Sequence, residues 1–428
     1  MASRDLVTCV LRHGTDVLLV RRSDAVASDR GRWGGVSGSA AGADPEAAAR
    51  RVLDRTVGLL DAATLVRSAD PLTGPAQDRG TARRVHPFLF DCRATDVDPS
   101  KAVAAHEWVQ PPAILEADTV PDLWPTYRAV APSVDSVASD TDHGSAYVSL
   151  RALEVLRDAA ADAAATANGE NTAATDAAST VLETAADLRT ARPAMGVVRT
   201  RLDRVLADAE PAPAALRDRA AAACDRAVAV DDEAAAAAAD RVGARVLTLS
   251  RSGTVLSALR RAAPAAVFVA ESRPAREGVG VAESLAADGL DVALCVDAAV
   301  AHVVDTERVD TVLVGADTVL ADGTVINKVG TRPASLAAAD AGADCYAVCA
   351  TDKIVPDTDV ELESGPPGAV HEDPEGFAVR NPTFEATPPG PITGVVTEDG
   401  LLSPDDVAAV AADHAAREAA ADAVLEDR

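Results

Sequence analysis

The sequence predicts an α+β sandwich over residues 1–130, joined through a helical stretch to an α/β domain built on a parallel sheet. Three observations carry this reading. The first 130 residues alternate short apolar runs with turns around a single helix, residues 144–240 are alanine-heavy and amphipathic, and beyond residue 244 short apolar runs alternate with helical segments. At 428 residues the chain is long enough to bury more than one core.

Within the sandwich, LVTCVLR and DVLLVRR flank an HGT turn and read as a hairpin, and VHPFLFDCR and HEWVQP read as later strands. The helix is PEAAARRVLDRTVG, opened by Asp44 and Pro45 and closed by Gly58. His86, Trp108 and Trp124 read as structural residues of this domain. The polar, turn-rich SVDSVASDTDHG marks a linker over 131–143. Residues 144–240 then form a helical subdomain of separate pieces, among them LRALEVLRDAAADAAA and RTRLDRVLADAE. Over 241–428 the runs RVLTLS, AAVFVAE, DVALCVD, DTVLVGAD and DCYAVCAT are continuous rather than alternating, and each precedes a helix. That pattern is a Rossmann-like parallel sheet covered on both faces, with its ligand site at the carboxyl ends of the strands.

Composition narrows the function. The formal charge is −27, and of 40 basic residues only Lys101, Lys328 and Lys353 are lysines. A dense carboxylate coat keeps a protein hydrated where salt screens charge within about 3 Å at 1 M, so the charge reads as adaptation to a halophilic cytoplasm. No basic run with interleaved aromatics occurs, and direct nucleic-acid contact is not expected. No apolar run reaches membrane-spanning length and no apolar leader opens the chain, so a soluble, cytoplasmic protein is expected. Cys9, Cys92, Cys224, Cys295, Cys345 and Cys349 are scattered among apolar residues and read as small buried hydrophobes, with neither a metal site nor a cofactor implied.

The stretch GRWGGVSGSAAGADPEAAARRVLDRTVGL resembles the Nudix box, in which glutamates at i, i+3 and i+4 of a helix hold magnesium against a diphosphate. In this chain Val52, Arg55 and Thr56 occupy those positions, while Arg51 is retained. The resemblance therefore implies a Nudix-like fold without its metal-dependent chemistry. A hydrolase reading would have to draw its ligands from elsewhere, such as Asp44 and Glu46.

The segments TARPAMGVV, RVLTLSRSGTVLSAL, VFVAESRPAREG, DTVLVGADTVLADGTVINKVGT and VRNPTFEATPP resemble, over roughly residues 144–405, the family of the alpha, beta and delta subunits of translation initiation factor 2B. That family includes the ribose-1,5-bisphosphate and methylthioribose-1-phosphate isomerases. The resemblance implies a general acid-base pair of cysteine and aspartate acting on an opened sugar phosphate. Asp317 matches the aspartate, and Ser250 stands at the cysteine position. A thiol can be tuned to release its proton near neutral pH, which an unassisted serine hydroxyl cannot do. The resemblance also implies phosphate-binding roles for Arg192, Arg273, Asn327, Lys328, Gly144 and Ser145, with His143 where the isomerases tend to place an arginine. A phosphorylated small molecule, either a nucleotide or a sugar phosphate, a homo-oligomer and a translation initiation factor are the implied partners. The leading expectation is a factor 2B-like regulatory protein with a catalytically degenerate Nudix domain. A sugar-phosphate isomerase and a Nudix hydrolase are the alternatives.

Overall fold

The structure, a computed structural model, describes residues 4–426 apart from 41, 43, 75–82, 141–142, 167–170, 209, 211, 359, 361 and 374. Residues 141 and 142 of the expected linker thus lie outside the described residues. The chain divides into two compact units, Met1–Ser133 with Glu154–Ala178, and Val134–Leu153 with Ser179–Arg428. Two of the three divisions fall inside helices, α5 (Ser145–Thr166) and α6 (Asn171–Ala191).

In the first unit, strands β1 (Arg4–His13) and β2 (Asp16–Arg22) form the expected hairpin around Gly14, whose φ of 60° supplies the left-handed turn. β3 (Trp33–Gly34) and β8 (Val103–Val109) pair with β2, and β4 (Val36–Ser39) pairs with β1. β1 also runs parallel to β7 (Arg83–Cys92), which carries β5 (Ala63–Ser68) and β6 (Leu72–Gly74) antiparallel on its other side. Helix α1 (Pro45–Val57) starts where Asp44 accepts a hydrogen bond from the Ala47 amide and ends at left-handed Gly58. Its buried Ala48, Ala49, Leu53 and Val57 pack on Val7, Cys9, Leu11, Phe88 and Phe90. The opposite sheet face packs Val10, Leu19 and Leu89 on residues of α2 (Ala113–Glu116) and α3 (Leu123–Arg128). Three aromatic side chains of this unit have their polar ends satisfied within it. Trp108 Nε1 donates to Thr95 O at 3.1 Å, Trp124 Nε1 to Asp162 at 2.5 Å, and the Tyr127 hydroxyl to Asp158 at 2.5 Å.

The second unit opens with a short helix, α4 (Val134–Ala138), inside the stretch expected as linker. Helices α7 (Gly196–Ala207) and α8 (Pro213–Ala239) precede a seven-stranded sheet. Its parallel members are β9 (Arg245–Leu249), β10 (Ala266–Ala270), β11 (Val292–Cys295), β12 (Thr311–Gly315), β15 (Asp344–Val348) and β17 (Gly394–Thr397). The strand β18 (Gly400–Leu402) turns back antiparallel on β17. Alternation within the continuous apolar runs supplies both faces. Leu247, Phe268, Val312 and Val314 enter one core, while Val246, Val267, Val269 and Leu313 enter the other. Helices α9 (Gly253–Ala262), α10 (Glu277–Ala287), α11 (Val300–Thr306), α12 (Thr331–Ala341) and α13 (Pro404–Glu426) complete the unit. A small antiparallel sheet of β13 (Thr318–Val319), β14 (Val325–Lys328) and β16 (Phe384–Thr387) stands apart from the main one. The sequence patterns did not anticipate this second sheet.

At the start of α10, a Cβ on Gly278 would lie 1.9 Å from the Ala270 carbonyl oxygen, a backbone atom that cannot move aside. Gly278→Ala is therefore expected to destabilise the second unit by about 3 kcal/mol or more, the upper range for overpacking. Thermal unfolding of the purified variant checks this; an unchanged midpoint would contradict it.

A candidate phosphate pocket

The β9–α9 turn in the second unit is held in an unusual shape. Ser250 has φ of 59°, a left-handed conformation that carries a cost in a non-glycine residue. Its amide donates to Ser272 Oγ at 2.7 Å, and the Ser272 amide donates to Asp297 Oδ1, also at 2.7 Å. This chain fixes the approach to α9, whose N-terminal residue Ser252 caps the helix by accepting from the Val255 amide. Gly315 at the end of β12 makes room for the turn, since a Cβ there would lie 2.9 Å from the Ser252 side chain.

These elements enclose a cavity of about 160 Å³. Ser250, Asp317, Asn327, Lys328, Gly144 and Ser145 all line it, so these expected site residues converge although they span much of the chain. Asp317 accepts from Ser145 Oγ at 2.8 Å, and its amide donates to Ile326 O at 2.9 Å, which locks it against β14. Asn327 donates to Thr331 Oγ1 at 2.9 Å. The starts of α5 and α9 both reach the cavity, and helix N-terminal amides favour anions, although that of Val255 is already given to Ser252 Oγ.

Two expected phosphate ligands stand elsewhere. Arg192 is buried but does not line the cavity; it donates to the Asp140 carbonyl and faces Glu363 at 3.5 Å. Arg273 is exposed, and its amide donates to Asp297 Oδ2 at 2.7 Å. Local partners hold both segments in place of the cavity. His143 does line it, bonded to Asp140 and stacked on Tyr147 with ring centroids 4.0 Å apart.

The structure adds Lys353 and Glu277, which sequence reasoning missed. Lys353 is buried and donates from Nζ to the Ala316 carbonyl at 2.6 Å. Two of the three lysines in the chain thus line one cavity, while Lys101 is exposed. That scarcity was the signal available in the sequence. Glu277 is ion-paired with Lys328. No cysteine lines the cavity. Burial pushes the thiols of Cys345 and Cys349 up to about 12, far from a reactive thiolate at neutral pH. No group of three or more His, Cys, Asp or Glu arranged to hold a metal occurs among the described residues. Nor is any described helix long and apolar enough to cross a membrane.

In the first unit a second cavity of about 210 Å³ is lined by residues including Arg22, Asp29, Ser37, Thr56 and Arg83. Of the α1 positions expected to lack carboxylates, Val52 packs toward the sheet, where a Cβ on Gly38 would lie 2.5 Å from it. Arg55 is exposed and Thr56 is half-buried.

Residues 141–404 match the family model of the initiation factor 2 subunit family. The chain belongs to that family. Among curated relatives, a ribose 1,5-bisphosphate isomerase of Methanocaldococcus jannaschii is 35% identical over 173 residues, covering 38% of this chain and 56% of the relative. A methylthioribose-1-phosphate isomerase of Rhodopirellula baltica is 35% identical over 164 residues, covering 34% and 45%. The chain spans about half the length of these curated relatives. A Pyrococcus horikoshii structure of translation initiation factor eIF-2B shares the fold, with a TM-score of 0.54 at 23% identity over 64% of this chain and 97% of that one.

The cavity rests on a buried charge cluster. Asp352, beside Lys353, meets Arg201 at 3.2 Å and Arg204 at 2.8 Å, and both Asp352 and Arg201 are only 2% exposed. Burial alone would raise this carboxyl, but the guanidiniums of Arg201, Arg204 and Arg226 outweigh it and hold it at about 2. A folded value below the unfolded one, about 3.9, contributes stability that is fully present above pH 4 and is lost as pH falls toward 2. Asp352→Asn is expected to lower unfolding stability at pH 7 by about 3 kcal/mol, because it removes the carboxylate shared by buried Arg201 and by Arg204 and leaves Arg201 only the longer contact to Asp231 at 3.5 Å. Denaturant titration at pH 7 and pH 3 should show the gap to wild type narrowing at the lower pH.

Proposed function

We propose that the pocket of the second unit binds a phosphorylated sugar, with phosphate near Lys328, Lys353 and the starts of α5 and α9, and the sugar against Asp317. The observation that carries this reading is the placement of two of only three lysines, both buried, around one cavity that also holds a carboxylate. Ammonium groups and helix N-terminal amides together suit a phosphate.

The names of the curated relatives favour aldose–ketose isomerisation as the chemistry. For a sugar phosphorylated on O1 that reaction breaks the ring bond between C1 and O4 so that O4 gains a hydrogen, removes a proton from C2 and returns one to C1, while O2 loses its hydrogen and becomes the ketone oxygen. Asp317, oriented by Ser145, is the group assigned to hydrogen exchange with the ligand oxygens. Ser250 stands where the resemblance implies the thiol that moves the carbon-bound proton. Losing one matched acid-base group lowers turnover by about 10² to 10⁴. Ser250 therefore favours a second reading, a regulatory factor 2B-like protein that binds the sugar phosphate without converting it.

Both readings predict binding, and they part at turnover. Calorimetric titration with ribose 5-phosphate and ribose 1,5-bisphosphate should detect binding, weakened by Lys353→Met through loss of a charge-assisted contact of about 1.5 to 3 kcal/mol. Absence of binding by either compound would overturn the pocket assignment. Isomerisation of ribose 1,5-bisphosphate that is abolished by Asp317→Asn establishes the enzyme, and binding without turnover establishes the regulator.

For the first unit we propose a Nudix-type frame lacking its metal ligands. Its support is a single helix packed on the sheet after a glycine-rich turn, with Val52, Arg55 and Thr56 at the positions that require carboxylates. With Mg²⁺ or Mn²⁺ the protein is expected to leave nucleoside diphosphate sugars and dinucleoside polyphosphates uncleaved. Metal-stimulated hydrolysis that survives Asp317→Asn would contradict this.

A further inference from the structure

The charged lining of the pocket is nearly balanced. Arg251, Lys328 and Lys353 face Glu277 and Asp317, three cationic side chains against two carboxylates. Glu277 is the unexpected member. It sits in the first turn of α10, ion-paired through Oε1 to the ammonium of Lys328, and is about one-fifth exposed. Its second oxygen, Oε2, is buried and accepts no hydrogen bond. A buried carboxylate oxygen without a donor is costly, so Glu277 depends on its pairing with Lys328 through the other oxygen. The same carboxylate repels a phosphate brought to Lys328 and neutralises the ammonium that would bind it.

We propose that Glu277 is a specificity-determining residue that makes this pocket selective for sugar monophosphates over bisphosphates. One phosphate carries nearly two negative charges at neutral pH, which Lys353, Arg251 and the helix amides are placed to meet. A second phosphate requires Lys328, and Glu277 already occupies it. At that end Glu277, which lines the cavity, instead accepts a hydroxyl of the sugar through its carboxylate. The inference rests on the sugar-phosphate reading of the pocket, and its test separates the two.

The test uses the full-length protein at one fixed salt concentration and measures dissociation constants of ribose 5-phosphate and ribose 1,5-bisphosphate by calorimetry. It compares wild type, Glu277→Gln and Glu277→Asp, with Glu283→Gln as an exposed control on the same helix that changes net charge equally. Wild type is expected to prefer the monophosphate. Glu277→Gln should shift the ratio of constants toward the bisphosphate by about tenfold or more, the equivalent of one charge-assisted contact. Glu283→Gln should leave the ratio at the wild-type value and Glu277→Asp should keep the monophosphate preference. Because Glu277→Gln strips Lys328 of its partner, its midpoint without ligand should fall and its rise on adding bisphosphate should exceed that of wild type. If both compounds bind and the ratio does not respond to Glu277→Gln, the inference fails while the sugar-phosphate pocket stands. If neither compound binds wild type, both fail together.

Discussion

The carboxylate of Asp352 is the point on which the second unit is assembled. It follows β15, is almost wholly shielded from water, and draws Arg201 and Arg204 from α7. A charge so placed is tolerable only when its partners are present and well oriented. Arg201 in turn donates to Ser149 in the first turns of α5, and Thr200 donates to the Asp352 carbonyl. One buried anion thereby fixes the helix before the sheet, the start of α5 and the turn that carries Lys353. The pocket inherits its geometry from that arrangement.

Ion pairing also explains why the pocket differs from what phosphate binding alone would require. In a chain with 67 acidic residues against 40 basic ones, many cations are held by a carboxylate. Arg192 meets Glu363, Arg199 meets Asp357 and Lys328 meets Glu277. An anionic ligand therefore competes with the protein for each cation. Backbone amides at the start of α9 carry no ion-paired carboxylate, which makes the turn from Arg251 to Thr254 the part of the lining best suited to phosphate, the Ser250 amide being already given to Ser272 Oγ.

Much of the parallel sheet was legible because AVFVA, and the VL and VLV steps of RVLTL and TVLVG, are apolar at consecutive positions, as suits a strand covered on both faces. The hairpin of the first unit and its capped helix were legible for equally local reasons, through Gly14, Asp44, Pro45 and Gly58. The sheet formed by β13, β14 and β16 was not. Its strands are short, and its pairing joins Val325–Lys328 to Phe384–Thr387 across more than fifty residues, a separation that no local pattern encodes. The candidate site divides similarly. Asp317, Asn327 and Lys328 sit close in sequence and stay together, whereas Arg192 and Arg273 were placed by motif and are held instead by neighbours that the motif does not specify. Lys353 was legible only as a rarity, and the pairing of Glu277 with Lys328 depends on α10 beginning beside β14.

The scarcity of lysine has a practical side. A chain with three ammonium groups, two of them buried around one cavity and the third on the surface, carries its own site-specific labels. Isotopically enriched lysine would give a spectrum of three side-chain signals, and amine-directed reagents would meet Lys101 first. The composition that an acid-rich protein adopts for solubility leaves its pocket spectroscopically isolated from everything else in the molecule.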